Sequence, residues 1–295
     1  MNLDPKVLLN NLINIGIHPS IIREILQAAF GMKVSRTSIP NSLLPKLIGE
    51  IERHSLFIGI SKSKYFASPD SGKGGWCNAA PILIDPTANI GEHFIYVGND
   101  PQKVLFAMYS EEAGSDVDFA GSLGIPACCS DFYTENIDAA RGIQNDLFPF
   151  SFKNTKDVYP FNVWTNITSQ YFGYGLTSYF PCSFNCSHTA DLAKASFDLL
   201  DSVDVSFASN FLRYQKMNYL YTEYDGVFAF EDSTYENESL YYDSSKVKST
   251  CNGVLQAVLK RGDSIIKVGK QHYQIRSKTS VLMDFSHELA CLLVF

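Results

Sequence analysis

The chain has 295 residues, 45% of them hydrophobic and 19% charged, a balance that supports a sizeable core and excludes a disordered or collagen-like chain. Lys and Arg number 24 against 31 Asp and Glu, a net charge of −7 that argues against nucleic acid or an anionic membrane as the main partner. No run of eighteen apolar residues occurs, so no transmembrane helix is expected.

The start of the chain breaks its apolar residues with polar and acidic ones and lacks a basic opening, so it does not read as a secretory signal and a cytoplasmic location is expected. Residues 4–54 read as three helices. Asp4 before Pro5 is an N-cap with proline at the first helical position. Ser20 is the expected cap of a second helix that stops at Gly31, and Asn41-Ser42 opens a third. These amphipathic helices either pack on their own domain or offer a surface for a partner or a second copy.

From residue 55 the period changes. Leu56–Ile60, Phe94–Val97 and Val104–Tyr109 are short apolar runs that read as strands. Between the first two lies a glycine-rich loop, residues 68–81, which lacks the spacing of a phosphate loop. Lys73 in this loop is a candidate anion or substrate ligand, against the plainer reading of a surface loop. Glu111 and Glu112 close the third run and read as a solvated pair.

Residues 114–142 read as helical in two pieces, broken at Gly124-Ile125-Pro126. The aromatic-rich stretch 159–181 contains Trp164, Asn166 and Tyr174, a mixture that suits either a substrate pocket or an aromatic core. A helix over roughly 188–201 follows. After about residue 217 strand signals dominate, including Val254–Lys260, with turns at Lys260–Asp263 and Val268–Lys270. The expected class is α+β (or α/β): N-terminal helices over 1–55, a central mixed domain over 56–216, and a small antiparallel sheet over 217–295.

Of the seven cysteines, Cys251 and Cys291 sit in strand contexts and read as packing, and Cys77 is undecided. The other four form two motifs: Gly124-Ile-Pro-Ala-Cys128-Cys129-Ser-Asp-Phe132 and Phe180-Pro-Cys182-Ser-Phe-Asn-Cys186-Ser-His188. Each couples a proline turn to cysteines and then a helix start, with Ser187 as a plausible cap. Helix N-termini favour thiolate over thiol. If the two starts face each other, four thiolates can hold zinc or an iron–sulfur cluster. His188 is a candidate fourth ligand or acid/base, and Asp131 an acid or a partner of the helix dipole.

The order of the cysteines is similar to that in the cluster domains of heterodisulfide-reductase-type proteins, which have glycine after the pair and C-x₂-C where this chain has Ser130 and C-x₃-C. Gly124, Pro126, Cys128, Cys129 and Phe132, then Pro181, Cys182, Ser183 and Cys186, resemble the motifs of the uncharacterised prokaryotic family called domain of unknown function 483. The similar stretch Phe94–Pro101 extends this resemblance over roughly residues 90–200. It implies little about mechanism.

Three functions remain open. The first is an enzyme with an iron–sulfur cluster or zinc on the four cysteines, doing redox or Lewis-acid chemistry on a small metabolite, modified amino acid or peptide. The second is a binding module with structural zinc. The third is a metal-free thiol enzyme with Cys128 or Cys129 as nucleophile and His188 as base.

Overall fold

The computed structural model describes residues 4–67, 70, 72, 73, 78, 80–85, 87, 88, 90–156 and 159–295. Asp4 caps α1 (Pro5–Ile15) by accepting from the backbone N–H groups of Lys6 and Val7. In α2 (Pro19–Ala29) the capping position belongs to His18, not Ser20. Pro19 takes the first helical position, so Ser20 falls inside the first turn, its hydroxyl 2.8 Å from His18 Nδ1. The three expected helices are not consecutive. After α2 the chain forms β1 (Ser35–Pro40), and α3 (Leu44–Arg53) begins after Asn41-Ser42 rather than at it.

β1 joins β2 (Phe57–Phe66), β3 (Ile82–Ile84) and β4 (Glu92–Gly98) in an antiparallel sheet of order β1-β4-β2-β3. β1 therefore shares a sheet with strands that follow residue 55. Val104–Tyr109 is helical, inside α4 (Pro101–Glu112). The reason is local: Asp100 caps it by accepting from Gln102 N–H, and Pro101 starts it, repeating the Asp-Pro signal of Asp4-Pro5. Glu111 and Glu112 thus end a helix, Glu111 on Arg36 at 2.6 Å and Glu112 on Lys62 at 3.1 Å.

The break at 124–126 separates α5 (Asp116–Ser122) from α6 (Ala127–Ala140). Gly124 makes the turn with φ of 69°, a conformation that side chains resist. After α7 (Phe148–Lys153) come α8 (Ser187–Val203) and α9 (Val205–Gln215). α9 is an element the sequence reading lacks, although Asp204 caps it by accepting from Phe207 N–H at 2.9 Å.

The C-terminal part consists of β5 (Asn218–Tyr221), β6 (Val227–Phe230), β7 (Thr234–Glu236), β8 (Ser239–Tyr241), β9 (Val247–Ser249), α10 (Val254–Leu259), β10 (Ser264–Gly269), β11 (His272–Ser277), β12 (Ser280–Ser286) and β13 (Cys291–Leu293). They make two sheets instead of one, ordered β12-β11-β10-β8-β7 and β13-β5-β6-β9. Val254–Lys260 is not a strand. Leu255 and Leu259 are buried four residues apart, which is helical spacing, so Lys260–Asp263 leaves a helix while Val268–Lys270 does turn a hairpin. All described strand pairs are antiparallel, which makes the class α+β.

The main core gathers Leu8, Leu12, Ile25, Leu47, Leu200 and Phe211 from α1, α2, α3, α8 and α9. Each such side chain contributes about 1.5–3 kcal/mol by leaving water. The buried apolar residues of the N-terminal helices pack against the chain's own α8 and α9, while Val7 and Ile13 of α1 stay exposed. A second core is aromatic, built on Phe148, Phe161, Phe184 and Tyr219. Among the described residues no helix is long and apolar enough to cross a membrane.

Candidate metal centre

The first turn of α6 carries Cys128 and Cys129, with Pro126 in the capping position. α8 begins one residue after Cys186, so Cys186 itself occupies the cap and Ser187 is the first helical residue, not the cap. Helix starts carry the positive dipole end, which favours thiolate at sulfurs held there. The loop between Pro181 and Cys186 is pinned by α7 and the residues just after it. Ser151 Oγ donates to Pro181 O at 2.6 Å, Asn154 Nδ2 donates to Cys182 O at 2.8 Å, and Thr155 Oγ1 accepts from Phe184 N–H at 2.8 Å.

These constraints bring the four sulfurs of Cys128, Cys129, Cys182 and Cys186 within 4.8 Å of one another, close enough to bind a metal ion. Cys128 to Cys129 is 3.9 Å, Cys128 to Cys186 is 3.8 Å and Cys129 to Cys186 is 3.9 Å. Cys129 and Cys186 are buried, Cys128 and Cys182 half-buried. Cys182 N–H donates to Cys129 Sγ at 3.3 Å, and Thr189 Oγ1 lies 3.3 Å from the same sulfur.

Without a cation the cluster favours one negative charge. The hydrogen bond from Cys129 holds the Cys186 thiol well below its ordinary range. The same bond and burial push Cys129 up. Burial, then the hydrogen bond to Cys186, pushes Cys182 up to about 12. A divalent cation removes this mutual repulsion and lets all four ionise.

His188 is exposed with Nδ1 3.6 Å from Cys128 Sγ, beside the cluster and not among its four donors. Asp131 is exposed on α6. Trp164 is half-buried in the main core, its ring 5.5 Å from that of Phe197. Tyr174 stacks on Tyr214 at 4.6 Å and meets Phe211 edge-on. Asn166 is 2% exposed, and its amide donates to Gln215 O at 2.8 Å. The three are spent on internal packing and hydrogen bonding. Lys73 is fully buried, its ammonium 2.5 Å from Asp146 Oδ2 and 3.0 Å from Glu223 Oε2, so it is not a loop cation open to an anion. Cys77 lies outside the described residues. Cys291 is buried in β13, and Cys251 Sγ donates to Asp225 O at 2.9 Å.

Sequence reasoning missed a cleft of 1540 Å³ that reaches the cysteines. Cys129, Ser130, Tyr179, Arg23, Gln170 and Tyr171 line part of it. Its signal in the sequence is slight: an Arg-Glu pair, Arg23-Glu24, inside the largely apolar α2. No family model matches the chain, and neither a curated protein nor a solved structure is significantly similar to it.

Proposed function

We propose that Cys128, Cys129, Cys182 and Cys186 hold a single tetrahedral metal ion, zinc or mononuclear iron, and that this ion fixes the wall of a cleft for a small metabolite or peptide. The observation that carries the reading is that all four sulfurs lie within 4.8 Å of one another, with the three edges among Cys128, Cys129 and Cys186 at 3.8, 3.9 and 3.9 Å. Tetrahedral zinc with bonds of about 2.3 Å requires sulfur–sulfur edges of about 3.8 Å. A multinuclear iron–sulfur cluster interposes several iron and sulfide ions between its thiolates and needs them spread further apart than 4.8 Å permits for all four.

Four thiolates close the coordination sphere, so the metal leaves no open position for Lewis-acid chemistry. Its work is to lock the starts of α6 and α8 to the 181–186 loop. Chemistry on a bound ligand then falls to the cleft side chains. The metal-free thiol reading has less support, because the one sulfur favoured as thiolate, Cys186, is only 7% exposed.

Purification without oxygen, followed by metal analysis and an absorption spectrum, tests the reading. One zinc per chain without colour, or one iron without acid-labile sulfide, supports it. Several irons with stoichiometric sulfide, or metal-free protein that takes up neither ion, overturns it.

A further inference from the structure

We infer that Arg23 is the oxyanion-recognising group of this cleft, taking the carboxylate or phosphate of the bound metabolite or peptide. The inference rests on the cleft being the ligand site of the proposed function. Arg23 lines the cleft from α2 and is 2% exposed. Its Nη2 donates to Ser178 Oγ at 2.5 Å and pairs with Glu24 Oε1 at 2.7 Å. Its Nε and Nη1 meet no acceptor among the described residues. A guanidinium carries five N–H groups, and the three at these two nitrogens are therefore unused.

Leaving N–H groups of a buried cation without acceptors is costly, so a native protein keeps such a group where something else completes it. Among the described residues Glu24 is the one carboxylate that the guanidinium contacts, and its second oxygen is taken by Lys33 Nζ at 2.6 Å. Two cations thus share one carboxylate, and the cluster keeps one uncompensated positive charge. Ser178, which caps the guanidinium, is exposed, so Arg23 lies one side chain beneath the cleft surface.

The position relative to the cysteines is equally specific. Tyr179 follows Ser178 and donates its hydroxyl to Thr189 Oγ1 at 3.3 Å, and Thr189 Oγ1 lies 3.3 Å from Cys129 Sγ. One short stretch of chain joins the anion group to the metal centre. A ligand anchored at Arg23 therefore extends along a wall whose shape the metal sets. Gln170 in the same cleft has a buried Oε1 without a donor among the described residues, which suits an N–H on that ligand.

The test uses malonate and inorganic phosphate as separate probes on the full-length, metal-loaded protein, against chloride at equal ionic strength. Thermal stability should rise with one or both oxyanions and saturate, malonate marking a carboxylate ligand and phosphate a phosphorylated one. Arg23→Gln should abolish the shift with metal content unchanged, and Arg23→Lys should weaken it roughly tenfold by keeping charge without the planar fork. A ¹⁵N side-chain titration of the wild type covers the case in which the variants fail to fold. One arginine Nε–H resonance protected from exchange should move with the probe. Equal shifts in wild type and Arg23→Gln, or no movement of a protected arginine resonance in the wild type, overturns the inference. Loss of metal from wild-type protein would instead count against the metal centre.

Discussion

Cys129 Sγ and Cys186 Sγ lie 3.9 Å apart although 57 residues separate them in the chain. Each is held at a helix start, close enough to the other to share a metal ion. On the proposed reading of this cluster as a metal site, Cys186→Ser should abolish metal binding and lower the melting temperature by about 10 °C or more, as several kcal/mol of site energy is lost. Cys291→Ser, in a buried strand outside the cluster, should leave metal content unchanged. Metal analysis and calorimetry on both variants separate a site from general cysteine burial.

Lys73 predicts the cost of a buried charge left alone. Burial opposes its ammonium, but Asp146 and Glu223 outweigh burial and raise its pKa. Tyr221 joins the cluster, its one hydroxyl proton facing both the Asp146 and the Glu223 carboxylates. Lys73→Met should cost about 3–5 kcal/mol, because two carboxylates remain in the interior without a cation. Lys73→Met combined with Asp146→Asn should recover part of this loss in denaturant unfolding. Destabilisation that simply adds would show that the groups are independent.

The four cysteines and the two helix starts were legible because proline, paired cysteine and helix signal occur together within a few residues of sequence. Val104–Tyr109 and Val254–Lys260 misled because a short apolar run fits strand and buried helix alike. Capping residues decide such cases: Asp100-Pro101 carries the same signal that identifies α1 at Asp4-Pro5. β1 escaped notice because its sequence, Ser-Arg-Thr-Ser-Ile-Pro, is polar, and its strand state comes from pairing with β4. Arg23 and Lys73 were not legible as to role, since their partners Ser178 and Asp146 come from far along the chain.

Acid should weaken the Arg23–Glu24–Lys33 cluster in a defined window. Burial alone would raise the Glu24 carboxyl, but Lys33 and then Arg23 outweigh it and bring it from 4.5 to about 2. The folded state thus binds the proton less readily than the unfolded one. Glu24 contributes its stability in full above pH 4.5 and loses it as pH falls towards about 2. The contribution is on the order of 3 kcal/mol. Glu24→Gln should lower stability at neutral pH and flatten the stability curve across that window. A parallel downward offset with unchanged slope would show that Glu24 does not titrate there.

Trp164 distinguishes packing from ligand contact. Its indole meets Phe197 of α8 inside the main core, and it does not line the cleft. Trp164→Ala removes a large half-buried side chain and should cost about 2 kcal/mol, below the 3–5 kcal/mol of full burial. It should leave metal content and the response to malonate or phosphate as in the wild type. Tyr179→Phe should do the reverse. It keeps the ring and costs about 1 kcal/mol for one hydrogen bond. It also releases Thr189 beside Cys129 and should speed metal loss to a chelator about tenfold, the low end of the range for groups that support metal ligands. Competition with a chromophoric chelator measures that rate. Metal loss from Trp164→Ala as fast as from Tyr179→Phe would assign both effects to general loosening of the fold, and would remove Tyr179 from the support of the cysteines.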